Sequence, residues 1–172
     1  MTTIRMLNGE EARAAIPQLA EILADCVDDG ASLGFMQPYT VDDAVPFWQG
    51  VADGVAAGST LLLVAEIDGK MAATVQVGFA QMPNQVHRGD LKKLLVRRSA
   101  RGKGLARLLM DAVEREAARH GKTLLVLDTA SGSDAEAIYP RLGWIRSGII
   151  PDYAMWPQGD FCDATFFYKR IA

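Results

Sequence analysis

A basic loop with two glycines, placed between a predicted strand and a predicted helix, constrains the fold of this chain more than any other feature. The loop reads Arg101-Gly-Lys-Gly-Leu-Ala106 and follows the hydrophobic strand end Leu94-Leu-Val96. After it, apolar residues recur at helical spacing from Leu105 to Val113, which predicts an amphipathic helix. The first N–H groups of such a helix lack partners and lie at the positive end of its dipole. Because glycine lets the backbone approach a ligand closely, the loop is typical of a phosphate or pyrophosphate site.

Two widespread phosphate-binding patterns do not match this loop. It lacks the Gly-Lys-Ser/Thr ending of a nucleotide P-loop, since Leu105 follows Gly104 and no hydroxyl is available to hold magnesium. It also lacks the three glycines of the dinucleotide-binding pattern. The alternative is a helix that simply begins after two glycines and binds nothing. The order of strand, loop and amphipathic helix favours the phosphate site.

The loop resembles the acyl-CoA loop of the Gcn5-related N-acetyltransferase (GNAT) superfamily, whose pattern is Arg/Gln-x-x-Gly-x-Gly/Ala. Here the pattern lies within Arg98–Ala106. The resemblance implies acetyl-CoA as co-substrate, bound where two central parallel strands splay apart, with the reacting oxygen met by a backbone N–H near Leu95 or Val96. The residues that we expect to contact the cofactor are Leu94, Leu95, Val96, Arg101, Gly102, Lys103, Gly104, Leu105, Ala106, Arg107, Ser133 and Tyr139. For Ser133, capping the following helix is the alternative.

Length, charge and residue usage exclude several other classes of protein. The 172 residues suit one domain, which we expect to span residues 1–172. A net charge of −3 argues against a nucleic-acid partner. The cysteines Cys26 and Cys162 match no metal-binding spacing and there are only two histidines, so no metal is expected. The N-terminal residues lack a signal-peptide layout and no apolar run approaches membrane length, which predicts a cytoplasmic protein without a membrane partner.

The hydrophobic pattern along the chain predicts an α/β fold with a mixed sheet of about seven strands and about four helices. The order of these elements is that of the GNAT fold. The predicted strands are 3–7, 60–67, 70–80, 87–96, 123–128, 144–148 and 164–169. The predicted helical segments are a turn or two over 10–16, a helix that starts at Pro17 and ends near Asp28, and helices over 40–57, 104–120 and 134–142. Residues 151–159 are predicted to form a late loop.

A closer resemblance links the chain to the tabtoxin-resistance acetyltransferases, which acetylate a β-lactam amino-acid toxin. The short sequence segments that they share include Gly30-Ala-Ser-x-Gly-Phe-Met36, Leu127-Asp-Thr129 and Pro151-x-Tyr153. These segments are spread over most of the chain. The resemblance places the acceptor pocket at Phe35 and Met36. The alternative for this irregular segment is a loop that tucks its hydrophobic side chains under itself.

Two carboxylates are candidates for the base that an amine acceptor requires. An amine must lose a proton before it attacks a thioester, and a carboxylate can take that proton directly or through water. Asp90 comes early on the strand before the loop, and Asp128 ends the next strand. The resemblance implies that these two carboxylates bind the acceptor and take its proton. In the tabtoxin-resistance acetyltransferases the residue at the position of Asp90 is a glutamate. The alternative is that Asp90 is only a surface residue at the start of a strand and that Asp128 only caps the following turn.

Tyr139 is the candidate acid for the leaving thiolate. It lies in Ala135-Glu-Ala-Ile-Tyr-Pro-Arg-Leu-Gly-Trp144, which matches the GNAT signature Ala-x-x-x-Tyr-x-x-x-Gly-aromatic. The resemblance implies that its phenol protonates the sulfur of CoA. The alternative is a tyrosine that only packs in the core, and Pro140 restricts its backbone.

The sequence thus predicts an acetyl-CoA-dependent N-acetyltransferase that acts on a small-molecule amine by direct attack in a ternary complex. The acceptor would be an amino acid or a β-lactam amino-acid toxin, which implies toxin resistance. One alternative is a protein or polyamine N-acetyltransferase with the same fold. Another is a non-catalytic sensor module that binds acyl-CoA. The acceptor's identity and the choice between monomer and homodimer stay open.

Overall fold

The computed structural model describes all 172 residues and is built around one mixed sheet of seven strands. The strands are β1 (Thr2–Met6), β2 (Thr60–Ile67), β3 (Lys70–Phe79), β4 (Arg88–Val96), β5 (Leu124–Ala130), β6 (Ile145–Met155) and β7 (Phe161–Arg170). Their order across the sheet is β1-β2-β3-β4-β5-β7-β6. Only β4 and β5 pair in parallel; every other neighbouring pair is antiparallel.

Four α-helices cover the two faces of the sheet. They are α1 (Gly9–Asp28), α2 (Val41–Ala56), α3 (Leu105–Arg119) and α4 (Ile138–Arg141). Both α1 and α2 begin at a capping box, in which an N-cap side chain and an acidic side chain three residues later each bind the other's backbone N–H. These boxes are Asn8 with Glu11 and Thr40 with Asp43. No helix is both long enough and apolar enough to span a membrane.

The sheet separates two apolar cores. On one face, α3 packs through Leu109, Met110 and Val113 against β2, β3 and β5. On the other face, α1 and α2 pack through side chains that include Leu23 and Trp48 against β2. The helix that follows the basic loop is therefore fixed on one side of the sheet, and the two N-terminal helices are fixed on the other.

The parallel strands β4 and β5 hydrogen-bond over only three residues. Arg88–Asp90 pairs with Leu124–Val126, and no pairing continues beyond Asp90. In the same stretch, β4 slips by one residue against β3, and Lys93 has a left-handed φ of 50°. This is a β-bulge, which bends a strand and re-aims its side chains. The edge of β4 that faces β5 therefore has no strand partner from Leu91 to Val96, as expected of splayed central strands.

Three predicted boundaries differ from the structure. Helix α1 runs through Pro17 instead of starting there, because Asn8 caps it nine residues earlier. Strand β6 continues through Pro151–Met155, which was predicted as a loop, and β6 is the edge strand, where a missing N–H is tolerated. Helix α4 is only four residues long because Glu136 is tied to the Gly132 backbone and to β7 in a turn.

Candidate active site

The basic loop leads into α3 through two glycines in the left-handed conformation. Gly102 and Gly104 both have φ of 75°, and a Cβ on either would meet no atom within 4 Å. Gly104 is the N-cap of α3, and no side chain caps the helix there. The first N–H groups of this 15-residue helix therefore face open space at the positive end of its dipole. This geometry fits a phosphate group.

Two arginines of the predicted cofactor loop are held by acidic residues at the end of α1. Arg98 Nε donates to Asp25 at 2.7 Å, and Arg101 Nη1 donates to Asp29 at 2.6 Å. Burial acts to raise the pKa of Asp25, but the hydrogen bonds and charge of Arg98 keep that pKa below its ordinary value. Acidic side chains are unfavourable at a helix C-terminus, so these arginines also stabilise the end of α1. Lys103 and Arg107 are exposed and make no ion pair.

Some of the remaining predicted cofactor residues can contact a ligand only through their backbone groups, and others also have accessible side chains. The side chains of Leu95 and Leu105 are each 2% exposed in the cores, so only their backbone groups are available to a ligand. Leu94 and Val96 are half-buried against the core on the α3 side. The Ser133 hydroxyl donates to the Ala130 carbonyl at 2.7 Å and accepts from the Glu136 N–H at 3.3 Å, so it caps the turn after β5.

The two predicted carboxylates lie on the same face of the sheet but in different surroundings. Asp90 is in register with Val126, and Asp128 follows two residues further along β5, so both point to one face. Asp90 is ion-paired with Arg88, which also donates to Gln85 at 2.8 Å. Asp128 has no ion-pair partner. Asp128 is exposed by its accessible area, but desolvation by the surrounding protein raises the pKa of its carboxyl above the ordinary value. The ammonium of Lys93 on β4 acts in the opposite direction.

Tyr139 is buried in the core on the α3 side of the sheet. It is 6% exposed, and its ring packs edge-on against Trp144 at 6.1 Å and tilted against Phe167 at 5.5 Å between centroids. Burial, and then the charge of Asp128, raise the pKa of the phenol to about 12. The phenol is therefore protonated at neutral pH and available as a hydrogen-bond donor.

The loop between α1 and α2, predicted to cover the acceptor, is pinned to the β6–β7 hairpin. Ser32 Oγ donates to the Met155 carbonyl, and the Gln37 N–H donates to the Pro157 carbonyl, both at 2.9 Å. Phe35 stacks on Tyr39, with the ring centroids 4.7 Å apart, and is half-buried. Met36 is 44% exposed. The loop therefore tucks one of the predicted hydrophobic residues inward and presents the other to solvent.

Lys93 also belongs to this side of the sheet, and the sequence analysis did not select it. Its Nζ donates to the Leu33 carbonyl at 2.7 Å and lies about equally far from two rings, 5.5 Å from Phe35 and 5.4 Å from Phe47. Burial lowers the pKa of the Lys93 ammonium, although Asp128 acts to raise it. Two consecutive lysines break the alternation expected of a half-buried strand, and that break was a signal of the bulge.

The unpaired edge of β4 thus lies between the uncapped start of α3 and the strand positions of Asp90 and Asp128. A model of the acetyltransferase (GNAT) domain family matches residues 28–150. The chain therefore belongs to the GNAT acetyltransferase family. The predicted fold and the predicted acetyltransferase class are confirmed by this match.

The most similar proteins include one curated relative and several solved structures. An uncharacterized N-acetyltransferase from Azospirillum brasilense is 32% identical over 112 residues, which are 64% of this chain and 65% of that protein. The match thus spans just under two thirds of the relative's length.

Two solved structures show how widely the fold is shared. The structure of yncA from Salmonella typhimurium, which holds its cofactor acetyl-CoA, has a TM-score of 0.80 at 21% identity over 100% of this chain and 95% of that one. Ribosomal-protein-alanine N-acetyltransferase from Brucella melitensis has a TM-score of 0.81 at 24% identity, over 98% of this chain and 99% of that one. These likenesses establish the fold.

Proposed function

We propose that this protein is an acetyl-CoA-dependent N-acetyltransferase that acylates the free amine of a small molecule by direct attack in a ternary complex. The observation that carries the proposal is the position of Asp128. Its carboxyl has a raised pKa and no ion-pair partner, and it lies on the strand where β4 and β5 separate. A carboxylate of this kind suits a general base.

Acetyl-CoA, when bound, supplies the acetyl group as a thioester. The N-terminus of α3 would hold its pyrophosphate through the N–H groups after Gly104, as the open space around both glycines allows. Lys103 and Arg107 are free cations beside this helix start and would add attraction for the phosphates. The unpaired edge of β4 near Leu95 and Val96 would offer a backbone N–H to the carbonyl oxygen of the thioester.

We assign the proton transfer from the amine to Asp128, directly or through a water molecule. Asp90 shares its face of the sheet but is already engaged by Arg88. We therefore give Asp90 a positioning role toward the acceptor or toward that water. This ranks the two carboxylates, which the sequence alone left equal.

Tyr139 would donate a hydrogen bond to the sulfur that leaves. A phenol of pKa about 12 is a weaker acid than a thiol of pKa about 8.5, so complete proton transfer to the thiolate is uphill. A hydrogen bond to the developing negative charge requires no such transfer and is strong in a buried site. The proton that finally reaches the thiolate then comes from solvent.

The acceptor side favours a small molecule. The loop from Ser32 to Gln37 is held to the β6–β7 hairpin, and its Leu33 carbonyl accepts from Lys93, whose charge acts on Asp128. We infer that this fixed loop bounds a small acceptor site. The resemblance of Gly30–Met36 to the tabtoxin-resistance acetyltransferases points to an amino acid or a β-lactam amino-acid toxin as acceptor. The ammonium of Lys93 on this side argues against a polyamine, which would bring like charges together.

The test is thiol release from acetyl-CoA by the purified protein, against tabtoxinine-β-lactam, common amino acids, polyamines and lysine peptides. We expect release with an amino acid or the toxin, and its loss in Asp128→Asn. Release with peptides alone would favour a protein acceptor. Binding of acetyl-CoA without release across the panel would favour the sensor module and overturn the proposal.

A further inference from the structure

The ammonium of Lys93 is a half-buried cation that forms no ion pair in the chain. Sixteen of the eighteen lysines and arginines are exposed or form an ion pair, and the two exceptions are Lys93 and Lys122. Burial of a charge is unfavourable unless it is paired and hydrogen-bonded. Lys122 donates to the Val86 carbonyl at 2.6 Å and lies over the Phe79 ring, away from the candidate site. Lys93 is the one of these two that lies on the side of the sheet that carries Asp128.

The contacts of Lys93 leave part of its ammonium free. Of the three N–H donors of an ammonium, one is used by the Leu33 carbonyl at 2.7 Å. The rings of Phe35 and Phe47 contribute cation–π attraction at about equal distance, but they accept no conventional hydrogen bond. Two N–H donors are thus available to a ligand.

The backbone conformation at Lys93 sets the direction of its side chain. Lys93 has a φ of 50°, a left-handed backbone conformation that residues other than glycine rarely adopt. It lies at the bulge of β4. Strained positions of this kind cluster at functional sites. The bulge directs the ammonium toward the loop between α1 and α2, on the side of the sheet that carries Asp128.

We propose that Lys93 binds a carboxylate of the acceptor, so that the preferred acceptor is a free α-amino acid whose amine lies at Asp128. This inference rests on the proposed function, because it assigns the substrate class of the same site. A cation on β4 and a carboxylate base on β5 complement the two charges of a zwitterion. The competing interpretation is that Lys93 only latches the loop through Leu33.

The experiment compares free amino acids with their primary amides, which keep the amine and lose the negative charge. Thiol release gives kcat/KM for each acid and its amide with the wild-type protein, Lys93→Met and Lys93→Arg. We expect the wild type to prefer the acid, and Lys93→Met to lower kcat/KM for the acid by about 10–100-fold, as for a hydrogen bond between charged groups. The amide should change by less than about threefold, and Lys93→Arg should keep part of the preference.

The neighbouring lysine provides a matched control. Lys92→Met removes the same charge one position earlier, from an exposed side chain, and should leave the ratio of acid to amide unchanged. A wild type without preference for the acid would overturn the inference. An equal loss of kcat/KM for the acid and the amide in Lys93→Met would also overturn the inference. It would favour the interpretation that Lys93 only holds the loop through the Leu33 carbonyl. Thermal unfolding of each variant shows whether it is folded.

A binding measurement separates this inference from the proposed function. Calorimetric titration of the acid into protein saturated with CoA reports binding without turnover. If no acid is acetylated but the acid binds to the wild type and not to Lys93→Met, the enzyme proposal fails and the carboxylate site stands. If acids are acetylated and Lys93→Met keeps the preference, the carboxylate site fails and the enzyme stands.

Discussion

The charge of Asp128 on β5 helps to keep the phenol of Tyr139 protonated, although Tyr139 itself packs in the core on the α3 side of the sheet. Burial and the charge of Asp128 together raise the pKa of Tyr139 to about 12. A donor and a base are thus coupled through charge, and the phenol keeps its proton in the resting protein. The two groups come from different elements, since Asp128 lies on β5 and Tyr139 on α4.

Tyr139→Phe should lower kcat by about 10–100-fold, because it removes a hydrogen bond to the developing charge on sulfur. The ring packing against Trp144 and Phe167 would be kept. The melting temperature should therefore stay close to that of the wild type. Steady-state thiol release and thermal unfolding test the two halves of this prediction. A normal kcat would reduce Tyr139 to a packing residue.

Asp128→Asn should lower kcat/KM by about 100–10,000-fold, the usual contribution of a general base. Asp90→Asn should cost less, since Arg88 already engages Asp90 in the resting protein. Both variants keep the size of the side chain, and both are measured by thiol release with the same acceptor. If Asp90→Asn were the more damaging change, the order of the two carboxylates would be reversed.

The sequence predicted those parts of the fold that are determined by local patterns. The glycine loop, the apolar face of α3 and the box of Thr40 with Asp43 each depend on residues within a few positions of one another. The sequence analysis divided α1 into a turn or two over 10–16 and a helix from Pro17, because Pro17 is normally a helix-start signal. Here the packing of a long buried face outweighs the one hydrogen bond lost at Pro17.

The candidate site was predicted in part for the same reason. Asp90 and Asp128 were selected from their positions on two neighbouring strands, and the register of β4 and β5 puts them on one face of the sheet. Lys93 was missed because its direction depends on a bulge, and a bulge is a property of the pairing between two strands. The ion pair of Arg88 with Asp90 could have been found, since residues two apart on a strand share a face.

Asp29→Asn should tighten acetyl-CoA binding by a few-fold. Asp29 holds Arg101 of the cofactor loop at 2.6 Å, so phosphates would compete with it for the guanidinium. An exposed ion pair contributes roughly 0.2–1 kcal/mol, which corresponds to about a 1.4- to 5-fold change in Kd. Calorimetric titration measures the affinity.

Asp53→Asn is the matched control for this change. Asp53 forms an exposed ion pair with Arg13 at 3.0 Å, outside the cofactor loop. Its substitution removes the same charge and should leave the affinity for acetyl-CoA unchanged. Weaker binding in Asp29→Asn would mean that Asp29 positions Arg101 for the ligand instead of competing with it.

Gly104→Ala should destabilise the protein by roughly 1–2 kcal/mol, because φ of 75° is unfavourable for a residue with a Cβ. The added methyl group meets no atom within 4 Å, so the cost is conformational. Gly50→Ala, within α2 and also in open space, should instead stabilise by about 0.5–1 kcal/mol. Urea unfolding measures both. An unchanged stability in Gly104→Ala would show that the loop adopts another conformation.

The acidic limb of the pH–rate profile should move to higher pH in Lys93→Met. A base works deprotonated, so kcat/KM rises as the pH rises through the pKa of Asp128. Burial raises that pKa, the charge of Asp90 acts in the same direction, and the ammonium groups of Lys93 and Lys92 oppose them. Removing the charge of Lys93 takes away the largest opposing effect, so the pKa rises further. The profile is measured with an amide acceptor, which has no carboxylate to lose. Lys93→Arg should keep the wild-type limb, and a limb that stays in place in Lys93→Met would assign the base to another group.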